Sequence, residues 1–403
     1  MNITLSPLSN LDWTNNSDLV ILEFELIAEK DYHLSLDYSK GLHAWFLDQV
    51  RQLSPELSKR LHDYPEEKAF SISRLQGNLM ELKNKIFVKQ NSFYSWYLSI
   101  FSSELIQWLK VWFNNFPSHL GLYHTPLLIN EVRFFSPPTT YEKLWLEKIE
   151  TNFSFTFLSP TSFRRNNHHY PLPHPPNLFH SYLRRWNQFS QNLGNHNDIM
   201  SFRSTAKESQ SLISERVFSQ DDFLDWIDKF VIIRSYSLES KKVAGGKKGS
   251  VTGFMGRLEL SLGHNYQDYP DFTQLYSTLC RFATYCGTGH KTTFGLGHTI
   301  VSQGNENTDE GRQQIFTQPS SYNNDSLEDK LVTRIDELTD IFLKQKNGKG
   351  GNRAENICLS YANILARREL GMSLKDIAIE LEMPYETVKT YSKRARKLLI
   401  EDT

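Results

Sequence analysis

Residues Cys286–Thr299 read CGTGHKTTFGLGHT, with glycines at Gly287, Gly289, Gly295 and Gly297. Glycine permits positive φ and lets a backbone approach a ligand closely. Consecutive N–H groups exposed in this way can cradle a phosphate. His290, Lys291, Thr292 and Thr293 add side-chain donors to such a cradle. A Walker loop needs G-x-x-x-x-G-K-[ST], and a dinucleotide fingerprint needs a strand before it and a helix after it. Here the first pattern is missing and the second is reversed. Asp271–Cys286 is amphipathic, with Leu275, Leu279, Phe282 and Cys286 on one stripe, and Thr299–Val301 is a short apolar strand. Both nucleotide readings fall. What stands is a glycine loop between helix and strand, either a structural turn or an anion cradle.

Outward from that loop the chain alternates between strand and helix patterns. Thr151–Leu158 alternates as a strand does, Leu178–Asn192 has helical spacing, and Phe230–Leu238 and Ser250–Leu262 are extended. Between them, Asn166–Asn177 holds four prolines and reads as irregular. With the helix and strand around the glycines, this predicts a permuted or degenerate ferredoxin-like half. The N-terminal half is clearer. Asp18–Glu29 places Val20, Leu22, Phe24 and Leu26 on one side of a strand, and Lys40–Arg51 is an amphipathic helix. Phe70–Leu75 and Lys85–Lys89 are strands, Ser103–Asn114 a helix, and Leu122–Phe135 is extended. The order β-α-β-β-α-β is the ferredoxin-like unit. The fold class expected is α+β, with tandem ferredoxin-like domains over 1–150 and 151–302. A polar linker follows over 303–325, and a small all-α domain over 326–403.

Net charge is −1, so bulk charge names no partner. Two basic islands do stand out. Arg234–Lys291 has eight basic residues against four acidic ones, and Tyr385–Leu398 has five against one. Within the first, Lys241–Ser250 (KKVAGGKKGS) reads as a cationic hairpin tip, with Lys241, Lys242, Lys247 and Lys248 placed to meet phosphates. The second island closes a helical segment. Ser373 caps Ser373–Leu381, Glu382–Pro384 turns, and Tyr385–Leu399 is a basic helix. The pieces SLKDIAIEL and TVKTY resemble the helix-turn-helix of sigma-factor region four and LuxR-type regulators. In that geometry Glu386, Thr387, Lys389 and Thr390 lie near base edges and Lys393, Arg394 and Arg396 near phosphates. The partner there is DNA, RNA or another protein.

The G-x-G-x-K-[ST]-x-x-G-x-G element, closing a tandem ferredoxin-like chain, resembles the RAMP superfamily. Within it, the chain is similar to the CRISPR repeat-cleaving endoribonucleases that process precursor guide RNA. Gly41–Val50 (GLHAWFLDQV) resembles the family's first helix, and Lys68–Gly77 (KAFSISRLQG) its following strand. Ser159–Arg164 (SPTSFR), Pro171–Pro173 and Trp186–Phe189 (WNQF) resemble its middle signature, and Val251–Arg257 (VTGFMGR) the strand before its last helix. The likeness spans roughly residues 18–302.

That resemblance implies an endoribonuclease needing no metal or other cofactor, whose RNA substrate supplies its own 2′-OH nucleophile. It would leave a 2′,3′-cyclic phosphate and a 5′-OH. It also raises His43, otherwise one histidine on an amphipathic helix, to the acid/base. The family often adds a tyrosine and a lysine, and Tyr32, Tyr38, Lys40 and Arg51 compete for that place, while His62 is a rival histidine to His43. RNA contacts are expected at Arg74, the hairpin lysines, Arg257 and the glycine loop. A fourth feature, His168, His169, His174 and His180, could hold a metal, but the proline-rich setting favours a loop that merely contains histidines. The partners implied are CRISPR repeat RNA and an interference complex. Two rivals stand beside this reading: a RAMP subunit that coats guide RNA without cutting, and a helix-turn-helix transcriptional regulator. No apolar run is long enough to span a membrane and no signal peptide is visible. Three cysteines without a CxxC fit a reducing cytoplasm.

Overall fold

Val20–Ala28 (β1) forms as its alternation predicts, with Val20, Leu22, Phe24 and Leu26 on one face and Ile21, Glu23, Glu25 and Ile27 on the other. The computed structural model describes residues 17–63, 66–82, 85–122, 125–165, 168–190, 219–244, 250–303, 327–345, 351–381 and 383–400. In the first unit β1 is followed by Tyr32–Ser35 (β2), helices Ser39–Leu53 (α1) and Pro55–Asp63 (α2), and strands Phe70–Ile72 (β3) and Gln76–Gly77 (β4). Met80–Leu82 (β5), Lys85–Val88 (β6) and Phe93–Ile100 (β7) come next, then Ser103–Trp112 (α3), His119–Leu122 (β8) and Thr125–Phe134 (β9). The main sheet runs β3-β7-β1-β9-β8, antiparallel throughout. Counting only the four long-range strands, this is the ferredoxin order, with β8 added at one edge. Val20, Leu22, Phe24 and Leu26 face helices α1 and α3 and pack with Trp45, Phe46, Trp96 and Trp112. Ile21, on the other face, joins Tyr97 and Phe101 in the core of the second unit. The two units therefore share β1 and β7 as a wall.

The second unit begins after Tyr141–Leu146 (α4). Its elements are Asn152–Thr161 (β10), Phe163–Arg165 (β11), His168–Tyr170 (β12), Pro175–Phe189 (α5), Gln220–Phe230 (α6), Val231–Ala244 (β13), Ser250–Leu262 (β14), Pro270–Cys286 (α7) and Thr299–Gln303 (β15). Its sheet order, β13-β14-β10-β15, is the same ferredoxin order. The expectation of a permuted or degenerate half is thus corrected, because the β10–α5–β13–β14–α7–β15 succession is regular. The proline-rich stretch is corrected too. Residues 168–170 pair with 163–165, and Pro175 and Pro176 open α5. Proline is tolerated in a helix's first turn, where its missing N–H has no partner to lose. Helix α6, capped by a reciprocal Ser219–Asp222 box, escaped the sequence reading.

The described elements of the C-terminal region are helices: Leu327–Gln345 (α8), Gly351–Glu369 (α9), Leu374–Glu380 (α10) and Tyr385–Ile400 (α11). Gly371 takes φ +86° just past α9, the left-handed stop that glycine favours. The Ser373 side chain accepts from the Asp376 N–H and starts α10.

Candidate functional site

Helix α1 buries Leu42, Trp45, Phe46, Gln49 and Val50, and that stripe fixes its rotation. His43 falls at the border of the stripe and turns toward the glycine loop of the second unit. Its ring stacks on Phe294 (4.1 Å between centroids, planes 24° apart) and, more loosely, on Phe70 (5.8 Å). Its Nδ1 lies 2.8 Å from the Thr293 carbonyl oxygen. A carbonyl only accepts, so Nδ1 carries the proton and Nε2 carries the lone pair. Burial pushes the pKa of His43 down to about 4, the Thr293 carbonyl opposes this, and the charges of His62 and Lys68 add to the lowering. At neutral pH His43 is therefore an uncharged imidazole with a defined tautomer and a lone pair on Nε2.

The loop that sets this tautomer is held tightly. Gly287, Gly289, Gly295 and Gly297 all take positive φ, as does Lys291 at 60°. Space matters as much as φ at two of them. A Cβ on Gly289 would collide with the Ser162 carbonyl, and one on Gly297 with the Thr288 carbonyl. Buried Arg185 of α5 donates to the carbonyls of Gly287 (3.1 Å) and Gly289 (2.6 Å) and to Ser181 Oγ (3.1 Å). Its Nε meets Glu67 of the first unit at 3.0 Å. Ser181 Oγ accepts the Gly289 N–H, and Tyr182, Thr288 and Thr299 hydroxyls form a buried chain at 2.8 and 2.7 Å. Arg185 was not singled out from the sequence. A signal existed: Leu178, Tyr182, Arg185 and Trp186 share one helical stripe, and an arginine on an apolar stripe needs a buried partner.

Other expected residues gather at the same loop. Arg74 lies over the Tyr38 ring at 5.3 Å, and a Cβ on Gly295 would press on its side chain. The long β13–β14 hairpin brings Lys241 and Lys242 near by, because Val243 and Val251 at its end bury against Leu296 of the loop. Lys247 and Lys248 lie outside the described residues. Arg257 is exposed on β14, paired in register with Thr156 and Ser237, away from the hairpin tip. His290 donates from Nδ1 to the Ser162 carbonyl at 2.9 Å and stacks on His169 at 5.0 Å. Burial lowers its pKa to about 4. Thr292 is buried.

The rivals for a second catalytic role separate. Tyr38 is buried and its hydroxyl accepts the Leu75 N–H at 3.1 Å. Lys40 pairs with buried Asp37 at 2.7 Å. Arg51 pairs with Asp48, two turns along α1 from His43. Tyr32 lies in β2, paired with Val88. His62 is exposed beside Asp63 at 2.8 Å. Only His62 and Lys68 have charges that register on His43. The four clustered histidines disperse: His168 is exposed on β12, His169 stacks on His290, His174 faces Asp228 at 3.7 Å and His180 is exposed on α5. Among the described residues no group of three or more His, Cys, Asp or Glu is placed to hold a metal ion.

In the helical region, Val388, Ser392 and Ala395 turn inward from α11. Glu386, Thr390, Lys393, Arg394 and Arg396 are exposed, and Thr387 and Lys389 are partly so. The basic face of α11 therefore points to solvent, while Arg367 and Glu380 form a buried pair at 2.9 Å between α9 and α10.

Comparison with known proteins agrees with this architecture. The model of the CRISPR-associated endoribonuclease Cas6 matches residues 155–299, and that of the CRISPR Cas6 N-terminal domain matches 19–134. Sigma-70 region 4 matches 364–399. No curated protein matches the sequence. Among solved structures, a Cas6 product complex superposes with a TM-score of 0.55 at 20% identity, covering 70% of this chain and 100% of its own. A second Cas6 product complex gives 0.51 at 21% identity, covering 70% and 99%. Thermus thermophilus Cas6 gives 0.51 at 19%, covering 72% and 100%.

Proposed function

Because the chain belongs to the CRISPR-associated endoribonuclease Cas6 family, we propose that it cleaves CRISPR repeat RNA to guide RNAs, with His43 as the acid/base and no metal. One observation carries the assignment of His43: the Nδ1–H bond to the Thr293 carbonyl leaves a neutral Nε2 lone pair beside a glycine loop. In the reaction Nε2 removes the proton of the 2′-OH. The 2′-oxygen attacks the adjacent phosphorus, and the P–O5′ bond breaks. The products are a 2′,3′-cyclic phosphate and a 5′-OH, whose proton comes from the imidazolium formed in the first step or from solvent. Lys68, whose charge reaches His43, offsets the charge that builds on the phosphorane. Arg74, Lys241, Lys242, Lys247, Lys248, Arg257 and the loop from Gly287 to Gly297 hold the RNA backbone.

The exposed basic face of α11, in a segment matching sigma-70 region 4, is proposed as a second nucleic-acid surface. Lys393, Arg394 and Arg396 supply its phosphate contacts. Replacing Lys393 and Arg396 by glutamate should abolish binding there and leave repeat cleavage intact.

The test of the main reading is cleavage in EDTA of an end-labelled repeat RNA by the wild type and by His43→Ala. A 2′-deoxy substitution at the cut site supplies the control. Loss of general base catalysis costs about 10²- to 10⁴-fold, so His43→Ala should bind normally and cut at least about a hundred times more slowly. Binding without any cut by the wild type would favour a guide-RNA-coating subunit instead. Cutting that survives His43→Ala would move the base to His62.

A further inference from the structure

The helical region is seated on the rest of the chain beside Lys242, one of the groups given RNA-facing roles above. Helix α8 lies along β13 and β14. Its Asp336 carboxylate meets Lys242 Nζ at 3.2 Å. The end of that hairpin is fastened to the glycine loop by Val243, Val251 and Leu296. Asp336 thus acts at the rim of the site that holds His43. At a second place, buried Glu380 of α10 lies within electrostatic reach of Asp37, just before α1, and of Lys40, three residues ahead of His43 on that helix. Apolar side chains of α8 and α9, among them Leu331, Leu338, Phe342 and Tyr361, belong to one contiguous core with the first unit. The seat therefore does not depend on the Lys242–Asp336 pair, and that pair can open while the helices stay in place.

We propose that the C-terminal helical region is an intramolecular competitor for RNA: Asp336 occupies Lys242, and a phosphate of the repeat must displace that carboxylate to bind the hairpin. The inference rests on the RNA-binding role proposed for the hairpin. A carboxylate and a phosphate oxygen compete for the same ammonium donors. Both partners are about half exposed (41% and 49%), so the pair is of the weak, water-screened kind. The competition then tunes affinity and does not block it. Because the competitor sits on the segment that carries α11, anything that shifts α8 when α11 is occupied would change RNA affinity on the body.

The test uses the full-length chain and repeat RNA. Asp336→Asn should tighten RNA binding roughly two- to five-fold at low salt, with the gain shrinking as salt screens the charges. Lys242→Ala should weaken binding, and in that background Asp336→Asn should add nothing. Glu355→Gln, an equal charge change elsewhere on the helical region, should be silent. A zero-length carbodiimide, which condenses a carboxylate and an amine in contact with loss of water, should link Asp336 to Lys242 in the RNA-free chain. Saturating repeat RNA should suppress that linked peptide. Unchanged affinity in Asp336→Asn, an equal gain in the Lys242→Ala background, or an undiminished crosslink with RNA bound would each overturn the competition. Lys242→Ala without effect on affinity would instead sink the RNA role of the hairpin, and the competition with it.

Discussion

Acidification from pH 7.5 to 5.5 tests the state of His43. Its ring is desolvated between Phe294 and Phe70, and its pKa stands at about 4 against an ordinary 6.5. That difference makes protonating it cost about 3 kcal/mol more than for a solvated imidazole. At pH 5.5 a group with a pKa of about 4 is roughly 97% neutral, whereas one at 6.5 is about 9% neutral. A base held as the structure holds His43 should therefore keep kcat/KM within about two-fold between pH 7.5 and 5.5, and lose half of it only near pH 4. An ordinary histidine would lose about tenfold over the same interval. The quantity to follow is kcat/KM for repeat cleavage in EDTA, because it reports the free enzyme, with RNA affinity measured separately at each pH. Phe294→Ala opens one face of the ring to water and should move the apparent pKa back toward 6.5, making the rate at pH 5.5 sensitive where the wild type is not. A tenfold fall in wild-type kcat/KM by pH 5.5, with affinity unchanged, would refute the desolvated-base account. A rate that falls with rising pH through about 4 would make His43 the acid instead.

Three further outcomes follow from the loop and the buried imidazoles. Gly297→Ala drives a Cβ into the Thr288 carbonyl at a backbone φ of +68°, so the loop must shift; cleavage should drop by at least about tenfold, since a displacement near 1 Å can cost 10²-fold, while urea unfolding of the first unit changes little. Arg185→Met leaves the Gly287 and Gly289 carbonyls and part of the Glu67 pairing without their donor; breaking a buried pair this way costs about 3–5 kcal/mol, read as a lower urea midpoint, and a loss below about 1 kcal/mol would show that the arginine is not the clamp. His43, His290 and His298 all have pKa values lowered to about 4 by burial. The unfolded chain takes up these protons near 6.5 and the folded one near 4, so their contribution is complete above pH 6.5 and declines as pH falls from 6.5 to 4. Stability at pH 4.5 should be several kcal/mol below that at pH 7, and an unchanged urea midpoint would contradict the burial of these rings.

What could be read in advance was local. Val20, Leu22, Phe24 and Leu26 announced β1 by their period of two, and Leu42, Trp45, Phe46 and Val50 announced α1 by their helical spacing, because in each case one face had to leave water. The glycine spacing announced a loop of unusual backbone. The proline stretch misled because proline count was weighed without position, and Pro175 and Pro176 sit where a helix accepts them. The partner of His43 was not legible at all. Thr293 is 250 residues away in sequence, and its contribution is a main-chain carbonyl that any residue would carry. Nor could Tyr38 and Lys40 be set aside from the sequence, since only the structure shows the Leu75 N–H and the Asp37 carboxylate that engage them.

The site is assembled across the boundary between the two ferredoxin-like units, and that has a consequence for how its activity can be lost. His43 belongs to α1 of the first unit, but its tautomer is set by the second, through the Thr293 carbonyl, and its desolvation is shared between Phe294 of the second and Phe70 of the first. Those two residues are in turn held by a loop whose carbonyls are gripped by Arg185, and Arg185 reaches back to Glu67 in the first unit. The circuit closes on itself: α1, glycine loop, α5, and the segment leading into β3. A change anywhere in it moves the imidazole without touching it, because the ring's one hydrogen bond among the described residues is to a carbonyl of the far unit. Neither unit alone would present an imidazole of this defined tautomer, since the ring and the carbonyl that fixes its tautomer lie in different units. Ile21, Tyr97 and Phe101 of the first sheet pack into the core of the second unit, so the wall that joins the two units is itself part of the hydrophobic core on which this arrangement rests.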